Sequence, residues 1–225
     1  MENLLISLLP YIIGSAIVPV QVIIGVLLLK SPRQGLLKAI AYVGGMTLSR
    51  LMQGLAFGFI LARAAAERDA GGKGLVSSTL LMVLGILLLI AAYRKWDGEE
   101  DPDAPPPKWL TMLDRTTARK AFGIGFAIPL MSAKVWVFTL SALTTIAAAE
   151  LGLSISAIAY LLFILLAQSL LLIPIGIRIF SPTKAKSILT QLSDWLTENN
   201  RPVAIVVSLV FGLFFLYSGI SGFLT

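Results

Sequence analysis

Arg50 lies near the middle of a long apolar segment, with Ser49 beside it and Gln53 one helical turn on. A charge at mid-depth in a bilayer costs roughly 2.5–3.5 kcal/mol on insertion scales, so such a residue needs a reason to be there. One reason is structural, a cation tying helices together. The other is a cation lining a cavity for a negatively charged substrate, which a guanidinium can grip bidentately. Lys134 is the second buried cation, about fourteen residues into a later apolar segment and within Pro129-Leu-Met-Ser-Ala-Lys134-Val-Trp136. Gln168 lies mid-segment with Ser169 beside it and Pro174 following. A buried glutamine serves either as glue between helices or as a ligand contact. No Asp or Glu falls inside any apolar segment, and Glu150 stands at the end of one. A mid-membrane carboxylate relay is therefore absent. Two cations without an anion make an electropositive site whose complement is a carboxylate, sulfate or phosphate. With the cell interior negative, outward movement of an anion gains about 2.3 kcal/mol per charge per 100 mV.

Three prolines accompany these residues. Pro19 precedes Val20-Gln21 in the first apolar segment, and Pro129 precedes Lys134 in the corresponding place of the second half. Each removes a backbone donor and is expected to break or kink its helix, as is Pro174. Paired proline-interrupted segments point to a transporter binding site, although proline kinks are also common in membrane helices. The candidate binding set is Arg50, Lys134, Gln168, Gln53, Gln21, Ser49, Ser132 and Trp136, with Pro19, Pro129 and Pro174 as helix breaks.

Composition fixes the setting of these residues. Of 225 residues, 57% are hydrophobic and 13% charged, with a mean hydropathy of +0.88. A soluble domain is nearer half apolar and one-quarter charged, so a soluble enzyme or nucleic-acid binder is a poor fit. The chain has no Cys and no His. Disulfides, thiol redox chemistry, imidazole metal ligands and histidine triads are excluded. No catalytic residue, metal or cofactor is expected, and the protein is read as a non-enzyme.

Six apolar segments, about 4–29, 36–61, 75–93, 121–148, 153–179 and 202–224, are each long enough to span a bilayer. All are expected to be helices, because lipid offers no partners to free backbone groups. The N-terminus lacks the basic region of a secretory signal, so the first segment is read as a retained span. The stretch 94–120 holds 12 of the 30 charged residues and four prolines, and reads as a polar hinge between halves. Within it, 108–113 is a candidate short interfacial piece. Residues 184–198 read as an amphipathic helix, with Ile188, Leu189, Leu192, Trp195 and Leu196 on one face. That helix lies either in the membrane interface or packed on the protein.

The halves resemble each other. Ala39-Ile40-Ala41-Tyr42 matches Ala157-Ile158-Ala159-Tyr160, a register that places Arg50 on Gln168. Val83-Leu84-Gly85-Ile86 resembles Val210-Phe211-Gly212-Leu213. The expected fold is all-α: one membrane domain over 1–225, of six transmembrane helices in two inverted three-helix repeats. The repeats are about 1–96 and 118–225, joined by the loop 97–117. Arg50 and Gln168 should then face each other across the pseudo-two-fold axis. Basic residues number 3, 6 and 4 in the first, third and fifth connections and 3 on the opposite side. Both termini are thus expected outside a plasma membrane and 94–120 in the cytoplasm. Gly44-Gly45 and Gly54-x-x-x-Gly58 permit close helix approach, within the protomer or in a homodimer.

The Pro19 region, the Ser31-Pro32-Arg33 turn, and Leu113-Asp-Arg-Thr-Thr-Ala-Arg-Lys-Ala-Phe-Gly-Ile-Gly125 leading into Met131-Ser-Ala-Lys134 resemble the sulfolipid-addressing, GAP-like (peptidoglycolipid-addressing) proteins of actinobacteria. Asp194-Trp-Leu-Thr-Glu-Asn199 and the last segment extend the likeness over essentially the whole chain. The wider group is the lysine exporter superfamily. The resemblance implies an inner-membrane exporter that moves glycolipids toward the cell envelope. Relatives carry an Asn-Pro-Lys-like motif where this chain has Ser132-Ala133-Lys134, which keeps the lysine only. The expected partners are membrane lipids and an anionic lipid or small-molecule substrate, with no nucleic acid. The alternatives are an exporter of an amino acid or organic anion, and a non-transporting scaffold for envelope-lipid synthesis machinery.

Overall fold

Ten helices account for nearly all of the residues that the computed structural model describes, which are 2–66, 73–98, 113 and 116–224. They are α1 (Glu2–Ala16), α2 (Pro19–Lys30), α3 (Gly35–Ala66), α4 (Lys73–Asp97), α5 (Ala118–Met131), α6 (Ala133–Ala148), α7 (Leu153–Ala167), α8 (Ser169–Phe180), α9 (Pro182–Glu198) and α10 (Asn200–Leu224). No strand occurs among the described residues.

Each of the six apolar segments is helical, but three are not straight. The first bends by 61° between α1 and α2, the fourth by 71° between α5 and α6, and the fifth by 65° between α7 and α8. By length and composition Asn200–Gly222 can cross a bilayer as one helix, and up to four spans result if each bent pair counts as one. The outer surface is apolar in stripes of helical period. Leu48, Met52 and Leu55 line the outside of α3, Ile158, Leu161 and Leu165 that of α7, and Val206, Val210 and Leu213 that of α10. Buried within are Gln21, Ser49, Arg50, Gln53 and Gln168. This arrangement, polar inside and apolar outside, belongs in hydrocarbon.

Two helix pairs approach through glycine. At Gly85 on α4, an added Cβ would lie 2.7 Å from the Leu216 nitrogen and 2.9 Å from the Gly212 oxygen of α10. At Gly45 on α3 it would strike the Phe122 carbonyl of α5, and at Gly125 the Tyr42 carbonyl. Gly54 lies against the Tyr160 ring, so its close approach is within the protomer, while Gly58 meets nothing within 4 Å.

Three apolar clusters fill the interior. The largest joins α1, α4, α6, α7 and α10 through Leu8, Leu88, Phe138, Phe163 and Phe215. A second joins α2, α3, α8 and α9 through Val26, Ala39, Ile175 and Leu189. A third unites α2, α3, α5 and α8 around Tyr42, with Leu113 against it. The amphipathic face expected at 184–198 is divided in α9: Leu189 and Leu192 pack on the second cluster, whereas Ile188 and Trp195 are exposed. Most of the charged hinge, 99–112 and 114–115, and with it nearly all of the candidate interfacial piece 108–113, lies outside the described residues.

Candidate functional site

The three chain breaks and the middle of α3 form the polar interior. At the first break Val18 is extended (φ −102°, ψ 99°), the conformation a following proline demands. Pro19 then opens α2, where its missing N–H is one that a helix start leaves unused anyway. The other two prolines are not at the breaks. Pro129 and Pro174 lie inside α5 and α8, and the chain turns at Ser132 and Gln168 instead. Ser132 turns the chain because its hydroxyl accepts from the Val135 nitrogen at 3.5 Å and caps α6. Pro174 deprives Leu170 of its helical donor, so the disturbance falls on the turn before it. There the Gln168 nitrogen reaches back only three residues, to the Leu165 carbonyl at 3.3 Å.

The end of α5 leaves carbonyls without helical partners. Two of them are taken by predicted site residues. Gln53 Nε2 donates to the Pro129 oxygen at 3.2 Å, and Trp136 Nε1 donates to the Leu130 oxygen at 2.7 Å. Phe57 meets the Trp136 ring edge-on, centroids 5.3 Å apart. At the third break Gln168 Nε2 donates to Thr47 Oγ1 at 3.1 Å, and Thr47 donates to the Val43 oxygen at 2.9 Å. Gln168 is thereby fixed to α3 one turn before Arg50.

Arg50 is fully buried, at 0% exposure, and its Nε, Nη1 and Nη2 make no hydrogen bond. The guanidinium lies within electrostatic reach of Tyr160 and Tyr42. Both phenols point their protons at the main chain. Tyr160 donates to the Arg50 carbonyl at 2.6 Å, and Tyr42 donates to the Gln21 carbonyl at 3.2 Å. Gln21 Nε2, Ser49 Oγ, Gln53 Oε1, Ser15 Oγ, Thr139 Oγ1 and Ser141 Oγ are also buried without partners. Native interiors leave few such groups unsatisfied, and each calls for an explanation.

Lys134 is elsewhere. The sequence expectation was a deep lysine sharing one anion with Arg50. The half-buried ammonium instead donates to the Ala204 carbonyl at 3.2 Å, one turn into α10, and its charged neighbour is Lys95. At the same end Arg201 donates to the Lys95, Trp96 and Gly98 carbonyls at 3.0, 2.7 and 2.7 Å, clamping the end of α4. The 71° bend after Met131 swings the lysine toward α10, so the two cations keep separate surroundings.

Tyr42, Tyr160 and Thr47 belong to the site although their side chains were not singled out as candidates. The repeat register had already paired Tyr42 with Tyr160, which was the available signal. Ser15, Thr139 and Ser141 had none, since small hydroxyls are ordinary in apolar helices. Among the described residues no group of three His, Cys, Asp or Glu could hold a metal ion. The described interior holds one fully buried cation and several buried polar groups without partners, and a negatively charged group is the chemical complement of such a cation.

No curated protein and no solved structure matches the chain. A family model does, over residues 8–221, and by that match the chain belongs to the family described as Sap, sulfolipid-1-addressing protein.

Proposed function

We propose that this protein is a multi-pass plasma-membrane exporter that moves an anionic glycolipid or similar amphiphile toward the cell envelope, seating its headgroup at Arg50. The observation that carries this reading is the fully buried guanidinium whose three nitrogens have no partner. A charge removed from water without compensation costs several kcal/mol, and an anionic cargo offsets that cost. Gln21 and Ser49 supply further donors. Acyl chains remain against the apolar exterior while the headgroup crosses. Family membership supports a lipid as cargo.

In this reading the bent pairs α1–α2, α5–α6 and α7–α8 are each one span, which with α3, α4 and α10 makes six spans in two inverted repeats. Both termini are then outside and 94–120 in the cytoplasm. The contact between Gly85 and Gly212, the glycines of two segments that resemble each other in sequence, supports this arrangement. The chain has no native Cys, so a single introduced thiol reports its own side. Asp103→Cys should react with an impermeant maleimide only in inverted vesicles, and Glu2→Cys only in intact cells. The reverse pattern would overturn the topology.

The transport test uses liposomes containing the purified protein and a panel of headgroup-labelled anionic lipids. Accelerated transbilayer movement is expected, and Arg50→Gln should abolish it. No acceleration for any anionic lipid, or full activity in folded Arg50→Gln, would refute the reading.

A further inference from the structure

We propose that Arg50 holds one small monovalent anion, of the chloride class, whenever cargo is absent. This deepens the transport reading, and rests on it only in that cargo displaces the ion.

The need for an ion follows from the surroundings of the guanidinium. Arginine keeps its proton in proteins, so its charge cannot be removed by titration. None of the 12 acidic residues falls within 3–66 or 118–149, the stretches that supply α3, α5 and α6. Tyr42 and Tyr160 are the titratable side chains within electrostatic reach of it, and both are turned to carbonyls. The unpartnered Nε, Nη1 and Nη2 of Arg50 and Nε2 of Gln21 are donors in want of an acceptor.

The same facts restrict the ion. One cation is balanced by one negative charge, and a divalent oxyanion would leave an excess buried charge. Arg50 has no exposed surface, so a bulky headgroup does not reach it in this closed arrangement, and a single-atom anion asks for the least room. The ion therefore occupies the resting carrier, and cargo enters by exchange for it.

The test uses the full chain in nanodiscs of zwitterionic phosphatidylcholine. Chloride is titrated against gluconate at constant ionic strength, with thermal unfolding and 35Cl NMR line width as readouts. A saturable rise in Tm and excess 35Cl broadening are expected in the wild type. Arg50→Gln, checked for helicity by circular dichroism, should weaken chloride binding at least tenfold, with Arg50→Lys between the two. A wild-type Tm and line width indifferent to chloride, or an unchanged response in folded Arg50→Gln, would overturn the proposal. Should Arg50→Gln not fold, the wild-type 35Cl signal decides alone: excess broadening that saturates at one ion per chain supports the site, and its absence refutes it. Chloride binding without lipid movement would sink the transport reading and leave the ion site standing. Lipid movement without a chloride response would do the reverse.

Discussion

The hydroxyl of Tyr160 donates to the carbonyl of Arg50 at 2.6 Å, over a glycine that leaves room for it. Gly54 is four residues beyond Arg50, on the same helical face, and the Tyr160 ring occupies the place of its missing side chain. Tyr42 likewise donates to the Gln21 carbonyl, but at Gly25, four residues beyond, it is Leu171 that fills the place of the missing side chain, with the Tyr42 ring at 3.7 Å. In each case a phenol supplies a second hydrogen bond to a helical carbonyl. Tyr160→Phe should lose about 0.5–1.5 kcal/mol of stability, the usual net worth of such a bond. Gly54→Ala should impair transport more than Tyr160→Phe does, because it displaces the whole ring from Arg50. Thermal unfolding beside vesicle flux would check both, and equal flux in Gly54→Ala and wild type would contradict the arrangement.

Gly85 and Gly212 make a reciprocal contact. The Cβ absent at one would approach the carbonyl of the other, at 2.9 Å and 3.2 Å. Such a reciprocal contact is what the proposed two-fold relation between the halves would produce close to its axis. At Gly85 the obstruction is backbone, which cannot swing aside, whereas at Gly212 the nearest atoms belong to the flexible Leu89 side chain. Gly85→Ala should therefore destabilise by about 1–3 kcal/mol, as overpacking does, and Gly212→Ala by less. Gly58→Ala, facing open space, is the control. A Tm for Gly85→Ala equal to that of Gly58→Ala would show that α4 and α10 do not pack at this point.

The residues legible in the sequence were those whose cost is large and local. Arg50 announced itself because a charge in an apolar run has few benign explanations, and Pro19 because proline fixes its own backbone. The helical segments were legible for the same reason, since hydrocarbon permits little else. The bends were not. Proline acts on the turn before it, so Pro174 marks a disturbance near Leu170 rather than its own position, and the break at Ser132 depends on a serine cap. Lys134 was placed by counting along a straight helix, but the helix bends by 71° before it and its ammonium donates to the Ala204 carbonyl of α10. Tyr42 and Tyr160 were visible only as a repeated word, because nothing in a tyrosine's own position says which carbonyl its hydroxyl will reach.

Arg201 joins α10 to the last carbonyls of α4 with three hydrogen bonds. A guanidinium fork can serve three carbonyls at once, and an ammonium on a flexible stem is a poor substitute. Arg201→Lys and Arg201→Ala should each lose roughly 1–2 kcal/mol, a modest amount because the freed carbonyls lie near water. Hydrogen exchange should quicken at the end of α4 in both variants while the amides around Gly85 keep their protection. Unchanged exchange over Lys95–Gly98 would show that the clamp is not formed in the membrane.

Arg50→Met separates function from stability. If the guanidinium serves the fold, removing it should leave the helices around Tyr160 less stable. If it is an uncompensated charge kept for cargo, an apolar side chain of similar length should stabilise the chain by about 1–4 kcal/mol, since replacing buried charge with packed hydrocarbon commonly does so. The geometry favours the second outcome, because the Arg50 side chain gives no hydrogen bond to any helix, and it is the backbone carbonyl, which methionine retains, that accepts from Tyr160. Arg50→Met should unfold at a higher temperature than the wild type in gluconate and move no anionic lipid. The margin should shrink when chloride replaces gluconate, because the ion stabilises the wild type alone. A lower Tm for Arg50→Met in both salts would return the residue to a purely structural role.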